Sequence, residues 1–75
     1  MRDLVEFVAR ALCEDPEAVK VEVREGPIEV YALSVGPNDL GKVIGRQGRT
    51  AKALRTLLAA RAELLGRKVG LEILD

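Results

Sequence analysis

Residues 39–56 read DLGKVIGRQGRTAKALRT, and this stretch decides the fold. Apolar residues at helical spacing predict a short helix of about two turns over residues 40–44. Gly45 can end that helix in the left-handed conformation. A longer helix is predicted from about Arg49 to Leu65. The sequence therefore predicts a tight loop, Gly45-Arg46-Gln47-Gly48, between two helices.

The helices are predicted to be amphipathic. The apolar face of the longer one consists of Ala51, Leu54, Leu58, Ala62 and Leu65, helped by Leu57. Near the start of the chain, the same spacing predicts a further helix of about three turns, with Leu4, Val5, Val8, Ala11 and Leu12 on its apolar face. Asp3 and Glu6 have the spacing of a capping box, and Asn38 or Asp39 can cap the short helix.

Three segments alternate between apolar residues and others, as strands do. The first begins at Val19 and ends before Glu25-Gly26-Pro27. The second runs from Ile28 to Val35 and carries apolar residues on both faces, which favours a central position in a sheet. The third follows Gly66 and extends from Val69 to Asp75.

The order of these elements is helix, strand, strand, helix, helix, strand. The short link between the first two strands favours a hairpin. The two-helix crossover allows the last two strands to run parallel. We therefore predict an α+β fold over residues 1–75 as a single domain. Its sheet is three-stranded and mixed, with the helices on one face.

The composition excludes several classes of function. Cys13 is the only cysteine and the chain has no histidine, so an internal disulfide, a zinc site and a Ser-His or Cys-His nucleophile pair are not expected. No apolar run of about 18 residues predicts a membrane span. The first residues lack the layout of a signal peptide. These features predict a cytoplasmic protein with no cofactor and no membrane partner.

The net charge of zero hides an asymmetry. Residues 1–35 carry four bases and eight acids (4 − 8 = −4), whereas residues 36–75 carry eight bases and four acids (8 − 4 = +4). Five bases and no acid lie between Lys42 and Arg55. Such a block is a candidate footprint for a polyanion, although a plain solvated helix face has the same pattern.

The loop has the features that a phosphate chain requires. Its glycines leave room for close approach to the main chain. The helix that follows presents free N–H groups and the positive end of its dipole there. A bare GxxG is weak evidence, because a tight turn between helices reads the same way. Its position between two helices, themselves between two strands and flanked by bases, raises the weight of the binding interpretation.

Residues 43–48 resemble the signature of KH domains, whose GxxG loop clamps a few nucleotides of single-stranded RNA. The element order resembles the bacterial type II arrangement. Residues 15–17, 39–56 and 69–75 are similar to the KhpA family, small bacterial RNA-binding proteins made of one KH domain. The resemblance implies a cytoplasmic protein that binds RNA with limited sequence preference. It also implies a homodimer or a heterodimer with a KhpB (Jag/EloR)-like partner, and a link to cell division or elongation.

The resemblance also implies which residues bind RNA. They are Lys42, Ile44, Gly45, Arg46, Gln47, Gly48, Arg49, Ala51 and Lys52. The glycines are expected to be hinges, Arg46 and Gln47 to contact phosphate or sugar, and Ile44 and Ala51 to form an apolar floor for bases with Leu40 or Val43 alongside. Many KH domains carry a larger aliphatic residue where Ala51 stands, so weak base selection is expected.

Three alternatives remain open from the sequence. The domain could serve chiefly as a protein-interaction adaptor whose RNA contact depends on its partner. A nucleotide-handling enzyme is disfavoured, because Gly41-Lys42 is followed by Val43 and not by the Ser or Thr of a phosphate loop. Single-stranded DNA could fit the same groove. Arg67 and Lys68 could extend the basic groove or lie in a plain solvated turn.

Overall fold

A computed structural model of the chain describes residues 1–74. Its helices are α1 (Arg2–Leu12), α2 (Leu40–Ile44) and α3 (Arg49–Leu64), and its strands are β1 (Lys20–Arg24), β2 (Glu29–Ser34) and β3 (Val69–Ile73). Short 3-10 turns lie at Pro16–Ala18 and Arg46–Gly48. The predicted order of elements is confirmed.

The three strands form one sheet in the order β1-β2-β3. β1 and β2 are antiparallel, with Glu22 opposite Ala32. β2 and β3 are parallel, with Tyr31 beside Leu71. The predicted hairpin, the parallel crossover and the central position of the second strand are all confirmed.

The core lies between the helices and one face of the sheet. Alternate strand residues point inward because successive side chains of a strand face opposite sides. They meet Val5 and Ala9 of α1, Val43 of α2, and Leu54 and Leu58 of α3. The strands contribute Val21, Tyr31, Leu33 and Leu71, with Val19 just before β1. The predicted packing of the helices on one face is therefore confirmed. Within residues 1–74, no helix is both long enough and apolar enough to cross a membrane.

The predicted capping box at the start of α1 is wrong. The helix begins at Arg2 with Met1 as its N-cap, and no side chain of the described residues caps it. Asp3 therefore lies inside the first turn, and Glu6 pairs with Arg2 and Arg10 instead. The predicted apolar face was shifted as well, because Ala9 is buried whereas Ala11 is exposed.

α3 buries four of its predicted core residues, Ala51, Leu54, Leu58 and Ala62. Leu57 and Leu65, which the spacing predicts for the same face, are exposed at 46% and 47%. Leu57 directly precedes the buried Leu58 in the helix, so its side chain points about 100° away from that of Leu58. At the other end of the chain, the last strand is predicted over residues 69–75. In the structure it ends at Ile73, and Asp75 lies outside the described residues.

Candidate nucleic-acid interface

The loop at residues 45–48 has an unusual backbone. Gly45 (φ 76°, ψ 172°), Gln47 (φ 56°, ψ 27°) and Gly48 (φ 73°, ψ 13°) all have positive φ angles. The N–H of Gly45 donates to the carbonyl of Gly41 at 2.8 Å and ends α2. The N–H of Gly48 donates to the carbonyl of Gly45 at 3.1 Å and closes the turn. The loop is therefore tightly wound and self-bonded, and only glycine adopts the conformation of Gly45 without strain.

Thr50 packs directly against Gly45. A Cβ atom at position 45 would lie 2.1 Å from Thr50 Oγ1 and 2.8 Å from the Thr50 backbone nitrogen. At Gly48 a Cβ atom would meet no atom within 4 Å. The two glycines thus have different structural roles. Gly45 admits the first turn of α3 against the end of α2, whereas Gly48 only supplies a left-handed backbone. Sequence reasoning missed Thr50, since no local pattern marks this contact.

Asp39 anchors the start of α2 to a distant part of the chain. It is 2% exposed, and its two carboxylate oxygens each accept a backbone N–H at 3.0 Å, from Glu14 and Asp15. The sequence predicted that Asp39 could cap α2 with its side chain. Asp39 is the N-cap residue of α2, but its side chain makes no cap hydrogen bond there. The carboxylate instead fastens the segment after α1 to the helix that leads into the loop.

The charges around Asp39 are coupled. The N–H groups of Glu14 and then Asp15 hold the pKa of Asp39 below its usual value, with Lys42 adding to the effect. The Lys42 ammonium lies 2.8 Å from Glu14 Oε1 and 3.5 Å from Asp39 Oδ1. The hydrogen bond to Glu14 is the main cause of the raised pKa of Lys42. Lys42 therefore carries its full charge at neutral pH and is already paired.

The other predicted cations fall into two groups. Arg46, Arg49 and Lys52 are exposed and, within the described part of the chain, pair with no carboxylate. Arg49 has only a long 3.5 Å contact, to the Gln47 side-chain oxygen. The structure thus brings three unpaired cations together at the loop and the first turn of α3.

Two further bases point elsewhere. Arg55 donates from Nε to the carbonyl of Leu71 at 3.3 Å, so it reaches across from α3 to β3. Arg67 donates to both carboxylate oxygens of Glu29 at 2.6 Å, and Glu29 also accepts a hydrogen bond from the Tyr31 hydroxyl. These contacts hold the link between α3 and β3 against β2. Arg67 therefore belongs to a structural network.

The predicted apolar floor is only partly at the surface. Ile44 is 37% exposed beside the loop. Ala51 is buried, and Val43 is fully buried in the core. Leu40 is half-buried. Ile44 is thus the apolar side chain next to the loop that is open to a ligand.

The geometry suits an extended anionic chain. A glycine turn with positive φ angles, the N-terminus of a 16-residue helix without a side-chain cap, three unpaired cations and one exposed isoleucine occur within nine residues, from Ile44 to Lys52. Backbone N–H groups and mobile cations bind phosphate, and an apolar side chain can contact a base. The aromatic residues Phe7 and Tyr31 lie on α1 and in the core, so no aromatic ring lies at this site for bases to stack on.

Comparison with known proteins also points to a nucleic-acid-binding protein. Residues 2–73 match the family model "KhpA/KhpB, KH domain". The chain is 47% identical to the RNA-binding protein KhpA of Halalkalibacterium halodurans, covering 100% of both chains. It is 46% identical to RNA-binding protein KhpA of Aquifex aeolicus, covering 100% of this chain and 96% of the relative. It is 47% identical to that of Clostridium perfringens, covering 99% and 100%.

A solved structure shares the architecture. A variant of Aquifex aeolicus Era, bound to GDP and aluminium fluoride, superposes with a TM-score of 0.69 and 27% sequence identity. The match covers 96% of this chain and 28% of the Era chain. The likeness therefore concerns one part of that larger protein.

Proposed function

Because the chain belongs to the KhpA/KhpB family of KH domains, we propose that it is a non-catalytic RNA-binding protein whose loop Gly45-Arg46-Gln47-Gly48 grips single-stranded RNA. The observation that carries the proposal is the glycine turn with its three unpaired cations. The full-length relatives are named RNA-binding proteins, which identifies the family as one of binding proteins and not of enzymes.

Each residue of the proposed site has a role. Gly45 and Gly48 let the sugar-phosphate chain approach the main chain. Arg46, Gln47, Arg49 and Lys52 contact phosphate or sugar, and Lys42 lies one helical turn before the loop. Ile44 contacts a base, with Ala51 beneath it. Contacts of this kind recognise the sugar-phosphate backbone of the RNA more than its base sequence, so weak base selection is expected.

The decisive test of the loop is a charge reversal. We expect Arg46→Asp/Gln47→Asp to lower the affinity for a single-stranded RNA pool by at least about tenfold, because it turns a phosphate contact into two repulsions. Fluorescence anisotropy measures the affinity. With three or four phosphate contacts, wild-type affinity should fall roughly 20–50-fold between 50 and 200 mM salt.

A matched control reverses Lys20, an exposed cation on the outer strand β1. Lys20→Glu should bind RNA nearly as wild type does, and circular dichroism should show that all variants are folded. Equal binding by wild type and the loop variant would refute the clamp. A DNA oligonucleotide of the same sequence tests whether the site prefers RNA, since the 2′-hydroxyl discriminates only if it is contacted.

A second surface favours a protein partner. The outer face of α3 carries Ala53, Leu57, Ala60 and Leu64, all exposed, at the spacing of one helical stripe. Leu64 is 80% exposed. Arg49 and Lys52 border the same shallow depression. We infer that this stripe binds a second copy of the chain or a KhpB-like protein, which is also the surface that an adaptor would use.

We expect Leu57→Glu to shift a dimer to monomer, because the stripe would then bury a carboxylate. Sedimentation velocity measures the change. Ile28→Glu, which alters an exposed apolar residue outside the stripe, should leave the association state unchanged. If Leu57→Glu abolishes both association and RNA binding, the adaptor function is favoured over the direct clamp. A cytoplasmic location and a role in cell division or elongation stay predictions.

A further inference from the structure

We propose that Glu14 weakens RNA binding by occupying Lys42, so that the loop operates with three cations although a fourth stands beside it. This inference rests on the proposed function. It concerns a residue of the acidic N-terminal half, outside the loop and its flanking helices.

The contact itself is direct. Glu14 Oε1 lies 2.8 Å from Lys42 Nζ, within the range of a charge-assisted hydrogen bond. Lys42 is on α2, three residues before Gly45, which places it about one helical turn from the loop. An RNA phosphate at the loop would therefore compete with Glu14 for the same ammonium group.

Backbone hydrogen bonds position Glu14 beside Lys42. Its N–H donates to Asp39 Oδ1 at 3.0 Å, and the next N–H, that of Asp15, donates to Asp39 Oδ2. The main chain at Glu14 is thus fastened to the start of α2. Its side chain is 83% exposed and makes no other ion pair within residues 1–74. The carboxylate can consequently be changed without disturbing the core.

Asp39 does not remove the competition. It is 3.5 Å from the ammonium, farther than Glu14, and both its oxygens are occupied by backbone N–H groups. Losing the Glu14 charge would leave Lys42 with a single, already shared carboxylate. By contrast, no carboxylate of the described residues pairs with Arg46, Arg49 or Lys52. Of these four cations, Lys42 is the one that forms ion pairs with carboxylates of the described residues.

The test is Glu14→Gln, which keeps the side chain's size and removes its charge. We expect RNA affinity at low salt to rise about two- to fivefold, as a fourth cation becomes available. The slope of log affinity against log salt should steepen by about 0.7, the value for one further phosphate contact on a single strand. Fluorescence anisotropy on the same single-stranded RNA pool, between 50 and 200 mM salt, gives both numbers.

Two controls separate this mechanism from a general charge effect. Glu25→Gln makes the same change in net charge, at an exposed site in the link between β1 and β2. It should leave the salt slope at its wild-type value. Lys42→Gln should abolish the gain from Glu14→Gln in the double variant.

The outcomes distinguish this inference from the proposed function. If wild type binds no RNA, the proposed function fails. If wild type binds but Glu14→Gln and Glu25→Gln have the same affinity and slope, Glu14 does not restrain Lys42 and the inference is refuted. A gain that persists in the Glu14→Gln/Lys42→Gln double variant would refute it as well, because the extra affinity would then not pass through Lys42.

Discussion

Gly45→Ala should lower the free energy of unfolding by about 2–4 kcal/mol, combining backbone strain with overpacking. The backbone of Gly45 lies in a region that residues with a Cβ atom scarcely enter. The new methyl group would also lie 2.1 Å from Thr50 Oγ1 and 2.6 Å from Thr50 Cβ. Relief requires α2 and α3 to move apart at the loop. RNA affinity should therefore fall even under conditions in which the variant remains folded.

Two other glycines supply matched controls for this substitution. Gly48→Ala meets open space and carries only the penalty of a left-handed backbone, about 1–2 kcal/mol. Gly41→Ala lies in α2 with nothing nearby and should stabilise the protein by up to about 1 kcal/mol. Urea unfolding followed by circular dichroism ranks the three variants. Equal losses for Gly45→Ala and Gly48→Ala would mean that Thr50 does not press on Gly45.

Asp39→Ala should lower the melting temperature by at least about 10 °C, because it leaves two partly buried backbone N–H groups without their acceptor. Asp39→Asn should fall between this variant and wild type, since an amide oxygen replaces only one of the two acceptors. Differential scanning calorimetry measures both. A melting temperature within about 2 °C of wild type for Asp39→Ala would show that the link between the α1 end and α2 contributes little stability.

The same carboxylate should make stability depend on pH in the acid range. Hydrogen bonds from Glu14 and Asp15 lower the folded-state pKa of Asp39. A lowered pKa stabilises the folded state above the ordinary aspartate pKa of about 3.9, and this contribution is lost as pH falls through the lower folded value. Wild type should thus lose stability below about pH 4, and Asp39→Asn should lose less over that interval. Hydrogen bonds from Tyr31 and Arg67 lower the pKa of Glu29, and the pH-dependent stability that Glu29 contributes is the same in both proteins.

Much of the architecture could be predicted from local pattern. Alternation in β1, β2 and β3 and helical spacing in α3 reflect which side of each element is buried, and that information is written along the chain. The loop between α2 and α3 was equally predictable, because two glycines at a helix boundary call for backbone angles that few other residues adopt. Side-chain capping at the starts of α1 and α2 was not predictable in this way. The residues chosen as caps, Asp3 and Asp39, use their side chains otherwise or not at all.

The sequence by itself determined the order of elements, the mixed sheet, the packing of the helices on one face and the position of the glycine loop, since these follow from local patterns and from the order of the elements along the chain. Tertiary structure alone decided the ion pair of Lys42 with Glu14, the two N–H groups on Asp39, the contact of Thr50 with Gly45 and the exposure of Leu57. The Lys42 and Asp39 contacts join atoms 24 to 28 residues apart. Their existence depends on how elements approach one another in space, and no spacing within a single helix or strand records that.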